Sequence, residues 1–173
     1  MTLMIAKAEQ LARTAHEGQK RKYTSEPYIV HPEAVACKVA AVADDPVMIA
    51  AAWLHDVVED TTVTIDMIEI GFGHEVAVLV AALSNNKSDG NRQRRKALEV
   101  ERLAASSPKA KTIKLADILD NVPSMIEHDP NFAVIYVDEK RVLLESLVGG
   151  DETLYAATKQ LLDDFVKSSA ISC

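Results

Sequence analysis

The run from Ile49 to Leu54 is unbroken by any polar residue and passes straight into His55-Asp56, with Glu59-Asp60 three residues further on. Ala50 to Leu54 is apolar all round, which predicts a helix buried on every side. No other segment limits the fold so strongly. It also sets an electrostatic problem. The C-terminal end of a helix carries partial negative charge and disfavours Asp and Glu there. A bound cation resolves the conflict by supplying positive charge and taking the carboxylates as ligands. The competing reading is an acidic loop in water after a core helix, and from this segment alone the two stand even.

The 173 residues suit one domain with a real core. Nearly half the residues are hydrophobic and Gly and Pro number six each, which suits a mostly helical globular protein. A formal charge of −7 argues against non-specific nucleic-acid binding. Cys37 and Cys173 stand far apart in no ligand spacing and read as one small core residue and one tail residue in a reducing cytosol. The N-terminal stretch carries charges throughout and lacks the apolar core of a signal peptide. No apolar stretch is long enough to span a bilayer, so a cytoplasmic protein is expected.

Proline and capping signals divide the chain into helices. Met4, Ala8, Leu11 and Ala15 recur at helical spacing within residues 2–17, and a polar turn follows over 18–26. Pro32 opens the next helix and places His31 at its N-cap. Asp45-Pro46 opens the helix that ends near His55. Further helices are expected over 64–70, ended by Gly71, and over 74–83, with Val76, Leu79, Val80 and Leu83 as the core stripe. Helices over 91–106, from Ser107-Pro108, over 131–148 and over 152–166 complete the pattern, the last two separated by Gly149-Gly150. No convincing strand pattern appears.

Residues 114–121, KLADILDN, hold the second concentration of polar groups in apolar surroundings. Lys114, Asp117 and Asn121 share one helical face, while Ile113, Leu115, Ala116, Ile118, Leu119 and Val122 point elsewhere. Such a stripe must line a cavity or pair internally. Either Lys114 and Asp117 form an internal ion pair, or Asp117 is a ligand and Asn121 binds something one turn along. Of the five histidines, His16, His74 and His128 lie in polar surroundings and read as surface residues. His31, His55, Asp56 and Asp117 make a two-nitrogen, two-oxygen set suited to a borderline divalent ion such as Mn²⁺, Fe²⁺ or Zn²⁺. The thiolates typical of structural zinc are missing from it.

The order His, His-Asp, Asp resembles the HD phosphohydrolase superfamily. The segments GQKRK (18–22), PYIVHP (27–32), LHDVVEDT (54–61), FGHEVAVLV (72–80) and IKLADILDN (113–121) resemble the hydrolase domain of RelA/SpoT-type alarmone enzymes. The HD pair alone is a weak signal, whereas GQKRK, PYIVHP and HDVVEDT in order are specific. The tail, with Phe132, Tyr136, Lys140 and Gly149-Gly150-Asp151, is similar to the small single-domain members. The resemblance implies an all-α, HD-domain helical bundle forming a single hydrolase domain over residues 1–173. It implies removal of the 3′-pyrophosphate of (p)ppGpp, giving GDP or GTP plus pyrophosphate, with Mn²⁺ as cofactor.

By the same resemblance His31, His55, Asp56 and Asp117 hold the metal, and Glu59 and Asp60 position and deprotonate the attacking water. The physical logic agrees, because a metal lowers the pKa of bound water and a nearby carboxylate can take the proton. Arg21 and Lys22 match residues that meet the base and phosphates, and Asn121 matches the one that holds the ribose; Tyr136 and Lys140 are also placed with the substrate. The alternative for Lys20-Arg21-Lys22 is an ordinary solvated turn. Three positions depart from the pattern. Tyr23 stands where glycine is usual, Asp120 replaces a more neutral residue, and Pro123 falls where the helix should continue and is expected to kink or end it. They surround the nucleotide and not the metal, so an adenine alarmone stays open as substrate.

Two other functions stay in view: an HD phosphohydrolase acting on a different nucleotide such as NADPH, and a non-catalytic nucleotide-binding or scaffold protein. Glu59 and Asp60 count against the latter, since a binder needs no general base. The expected partner is a small-molecule nucleotide, with no nucleic acid and no membrane; self-association into a homo-oligomer is left open.

Overall fold

A computed structural model describes residues 2–86 and 88–171. Among these, ten helices form in the order α1 (Leu3–Ala15), α2 (Val30–Val42), α3 (Pro46–Leu54), α4 (Val57–Asp60), α5 (Ile65–Phe72), α6 (His74–Leu83), α7 (Arg92–Ala104), α8 (Pro108–His128), α9 (Pro130–Ser146) and α10 (Glu152–Ile171). No strand appears among the described residues; an isolated bridge pairs Lys20 with Pro27 in the α1–α2 connection. The chain is all-α, as the periodicity requires.

α3 is the hub. Every residue from Met48 to Leu54 is buried, and the helix packs against α1, α2, α6 and α8. A helix without a polar face has no other stable location. Its start is fixed by Asp45, whose Oδ1 accepts from the amides of Val47 at 2.9 Å and Met48 at 3.3 Å. The same device recurs where Ser107 caps α8 and Asp129 caps α9, each followed by proline. α8, the second central element, packs against α2, α3, α6, α9 and α10. The expected stripe of α6, Val76, Leu79, Val80 and Leu83, is buried.

Several local expectations are corrected. α2 begins at Val30, so His31 lies inside its first turn and not at the cap. The amides of Val30 and His31 bond the carbonyls of Pro27 and Tyr28, which winds the chain early. Proline is tolerated at Pro32 because first-turn amides need no intrahelical partner. Asp56, Glu59 and Asp60 do not trail from the end of α3. Asp56 is the N-cap residue of the four-residue α4, with Glu59 and Asp60 in its first turn. The C-terminal end of α3 still meets His55 and Asp56, as read from the sequence, while Glu59 and Asp60 belong to a separate short helix. Gly71 lies within α5, and the terminator is Gly73 at φ +90°, a conformation that favours glycine.

α8 runs through Pro123 to His128. Proline costs a helix interior about 3 kcal/mol, yet residues from Ala110 to Val122 are fixed by packing on five helices, and that contact prevails. His16 is buried, only 3% exposed, against the Tyr28 ring at 4.7 Å between centroids. Cys37 is exposed, because Val35, Ala36 and Val39 take the inner face of α2. Cys173 lies outside the described residues.

Candidate active site

Four elements converge on one point. α2 brings His31, the α3–α4 junction brings His55 and Asp56, and α8 brings Asp117. His55 Nδ1 lies 2.8 Å from the Ala52 carbonyl oxygen, which only accepts, so the ring proton sits on Nδ1 and Nε2 offers a lone pair. His31 Nδ1 lies 2.6 Å from Asp120 Oδ2, which fixes the same tautomer. The two Nε2 atoms then face each other at 3.2 Å. Asp117 Oδ1 stands 3.3 Å from His31 Nε2, and Asp56 Oδ2 stands 3.1 Å from His55 Nε2 and 3.5 Å from His31 Nε2.

One ligand atom from each of His31, His55 and Asp117 lies within 4.8 Å of the others, and Asp56 flanks them. With both rings neutral, two lone pairs and two carboxylate oxygens aimed at one point repel unless a cation, a proton or a metal ion, lies between them. The donor set of nitrogen and oxygen, without thiolate, fits a borderline or hard divalent ion. The carboxylates are held by neighbours: Asp56 Oδ2 accepts from the Tyr28 hydroxyl at 2.6 Å, Asp117 Oδ1 accepts from Asn121 Nδ2 at 2.6 Å, and Asp117 Oδ2 accepts from Lys114 Nζ at 2.8 Å.

The local field has one sign. Burial opposes charge on both imidazoles, yet the neighbouring carboxylates Asp117, Asp120 and Asp56 raise His31 well above the ordinary histidine value, and Asp56 raises His55. Burial likewise opposes ionisation of Asp56 and Asp117. The His55 charge and the His31 hydrogen bond hold Asp56 far below the ordinary carboxylate range, and Lys114 with His31 does the same for Asp117. Such a field selects a cation.

Glu59 behaves differently. It is raised, first by burial and then by the nearby Asp56, against the opposing hydrogen bond from Asn85. Its Oε2 accepts from the Asn85 amide at 2.8 Å and from Asn85 Nδ2 at 3.1 Å. Arg102 donates to Asn85 Oδ1 at 2.8 Å and so holds the asparagine. Asp60 is neighbour to Glu59 on α4, and its carbonyl accepts from Gln19 Nε2 at 3.1 Å.

Arg21, Lys22 and Asn121 line one cavity of about 160 Å³ with Tyr23, Tyr28, Ser124 and Met125, and Tyr28 connects it to Asp56. Arg21 Nη1 donates to Asn121 Oδ1 at 3.3 Å. Tyr23 donates from its hydroxyl to Asp129 Oδ2 at 2.9 Å, which fixes its ring against the end of α8. Lys22 Nζ lies 4.6 Å from the Tyr23 ring centroid and 6.0 Å from that of Phe132. Tyr136 and Lys140 do not line that cavity, although Tyr136 feels the charge of Asp117. Lys140 is buried with its Nζ 5.0 Å from the Tyr136 ring, and it lines a separate cavity with Lys96 and Glu99.

The internal ion pair read from the sequence is present, and it leaves one oxygen of Asp117 free to serve as a ligand. Lys114 bridges Glu99 Oε1 and Asp117 Oδ2, each at 2.8 Å, while the other oxygen of Asp117 faces the histidines. Sequence reasoning missed the supporting residues Tyr28, Lys38, Asn85 and Arg102, and it set Asp120 beside the nucleotide and not the metal, whereas Asp120 bonds His31. Asp120 was legible by its spacing from Asp117 on α8; Asn85 sits in a polar loop with no local signal.

By its helical fold and by a match of the HD domain family model to residues 8–140, the chain belongs to the HD-domain family. It is similar to the mouse (Mus musculus) guanosine-3′,5′-bis(diphosphate) 3′-pyrophosphohydrolase MESH1, at 34% identity over 92% of this chain and 93% of that one. It is 40% identical to the Aquifex aeolicus guanosine-3′,5′-bis(diphosphate) 3′-pyrophosphohydrolase over 70% of this chain and 18% of that longer protein. A solved structure described as a metazoan ortholog of SpoT that hydrolyzes ppGpp superposes with a TM-score of 0.87 at 30% identity, covering 98% of this chain and 97% of that one. No described helix is long and apolar enough to cross a membrane.

Proposed function

We propose that this protein is a metal-dependent hydrolase that removes the 3′-pyrophosphate of guanosine alarmones, converting ppGpp to GDP and pppGpp to GTP with release of pyrophosphate. The proposal includes Mn²⁺ as the ion, one hydrolase domain over residues 1–173, a free nucleotide as partner and a cytoplasmic setting. The observation that carries it is the convergence of His31, His55, Asp56 and Asp117 as four oriented acceptors beside the cavity lined by Arg21 and Asn121. The activity named for the relatives supports the choice of substrate.

When bound, the divalent ion supplies the positive charge that acidifies water and neutralises a pyrophosphate. The chain does the rest. Glu59, raised by burial and oriented by Asn85, takes the proton from the attacking water, with Asp60 positioning it. Arg21 and Lys22 receive the charged nucleotide, and Asn121 holds the ribose. Tyr136 and Lys140 complete the substrate-binding set; Tyr136 feels the charge of Asp117, and Lys140 neighbours the Lys114–Glu99 pair that holds Asp117.

Turnover with added Mn²⁺ on ppGpp, pppGpp, ppApp and NADPH, with products resolved, tests the reading. Pyrophosphate with GDP or GTP as the fastest products is the expected result. Faster turnover of ppApp or NADPH overturns the choice of substrate, and no turnover of any of them overturns the enzymatic reading.

A further inference from the structure

Asp120 lies three residues beyond Asp117 on α8, mostly buried at 16% side-chain exposure. Its Oδ2 accepts from His31 Nδ1 at 2.6 Å, and its Oδ1 accepts from Lys38 Nζ at 2.8 Å. Arg21 Nη1 approaches the same Oδ2 at 3.7 Å. A single carboxylate therefore stands behind the imidazole whose Nε2 faces the candidate metal position. Lys38, on α2 as His31 is, holds that carboxylate from the more exposed side.

A neutral imidazole has one N–H and must place it on one of two nitrogens. With the proton on Nε2, a hydrogen would point into the 3.2 Å gap to His55 Nε2 and close a ligand position. An anionic acceptor at Nδ1 draws the proton there, frees the Nε2 lone pair and raises its basicity. For His55 the Ala52 carbonyl sets the tautomer, and a backbone group cannot be deleted by a side-chain change. For His31 the same task falls to a side chain, so substitution can separate it from the fold.

We propose that Asp120, held by Lys38, is a positioning residue that fixes His31 with its proton on Nδ1 and its Nε2 turned to a divalent cation. This rests on the metal-dependent reading above. Asp120 acts through its contact with His31.

Mn²⁺ titration calorimetry on the full chain tests it, comparing wild type with Asp120→Ala, Asp120→Asn and Lys38→Met. Loss of this kind of support weakens metal binding by about 10–100-fold, and Asp120→Ala should fall in that range. Asp120→Asn keeps an oxygen acceptor without the charge and should lose less, and Lys38→Met should lose least. A second readout is ring N–H exchange in protein loaded with diamagnetic Zn²⁺. Wild type should show a slowly exchanging His31 Nδ1–H proton, and Asp120→Ala should lose it to fast exchange. Wild-type Mn²⁺ affinity in Asp120→Ala, or a retained slow proton, overturns the proposal. Should Asp120→Ala fail to fold, Asp120→Asn and Lys38→Met decide: unchanged affinity in both overturns it, and graded loss supports it. A wild type that binds Mn²⁺ but leaves ppGpp uncleaved overturns the substrate reading and not this one. A wild type that binds no divalent ion overturns both.

Discussion

At Glu59 two influences act on one carboxylate. Burial and the nearby Asp56 raise it, while the hydrogen bonds from Asn85 favour its charged form, and burial prevails. A carboxylate so raised is a better proton acceptor than an ordinary glutamate. Glu59→Gln keeps the shape and the Asn85 contact but cannot take a proton. It should retain metal and substrate binding and lose about 10²–10⁴-fold in kcat, the usual scale for general acid–base work. Metal content and kcat measured on the same preparation check this, and parallel loss of both would make Glu59 a ligand. Arg21 belongs to binding. Its guanidinium reaches Asn121 in the cavity beside the candidate metal position. A charge contact equal in ground and transition states raises KM and leaves kcat alone when removed. Arg21→Ala should therefore raise KM for ppGpp several-fold with kcat within about threefold of wild type, the KM effect shrinking as salt screens the charge. A collapse of kcat at constant KM would place Arg21 in the transition state.

Among the elements, the junction between α9 and α10 shows how little slack the packing leaves. Gly149 adopts φ +91°. At Gly150 a Cβ would meet Leu115 Cδ1 at 2.9 Å and both the Leu147 oxygen and Lys111 Cβ at 3.2 Å, so the turn is pressed directly onto α8. Overpacking of this sort costs about 1–3 kcal/mol. Gly150→Ala should lower stability by that amount in denaturant melts, with the slope of the transition unchanged. A melt identical to wild type would mean that the turn backs away from α8 at no cost. α4 carries a different lesson. It is four residues long, and its isolated stability is negligible, so Glu59 and Asp60 depend on neighbouring elements for their placement.

Over the whole molecule, charge is gathered in two buried layers. The first is the His31, His55, Asp56 and Asp117 set, shared by α2, the α3–α4 junction and α8. A ligand bound only by the folded state stabilises it, by about 2.7 kcal/mol at a hundredfold excess over Kd. Adding Mn²⁺ to metal-free protein should therefore raise Tm in step with its concentration, and His55→Ala should abolish the rise. An equal rise in that variant would place the ion elsewhere. The second layer joins Glu99 of α7, Lys114 of α8 and Lys140 of α9. Burial, with the charge of Lys114, lowers Lys140 to about 8. Below that pH the folded and unfolded states both carry the proton, and the fold bears the cost of a buried ammonium. Between about 8 and the ordinary lysine range the folded state sheds the proton first, so stability rises with pH. The Tm of wild type should climb relative to Lys140→Met from pH 8 to 10; a flat difference would mean that Lys140 stays protonated there.

Sequence by itself determined the features that depend on local spacing. The apolar run from Ile49 to Leu54 had to become the central helix, Asp45-Pro46 and Ser107-Pro108 had to open helices, and the polar stripe of KLADILDN had to line a cavity or pair internally. Lys114 and Asp117 were legible because helical periodicity is a short-range property. The tertiary structure decided what depends on residues far apart in the chain. Asp120 reaches His31 across 89 positions, and Asn85 reaches Glu59 across 26. Pro123 is carried inside α8 by contacts with other helices, and His16 is drawn into the interior against Tyr28. These outcomes rest on burial and on pairing between elements, whose free energies come into being only when the elements meet. Local preference could place each helix, but not the partner that each buried polar group would find.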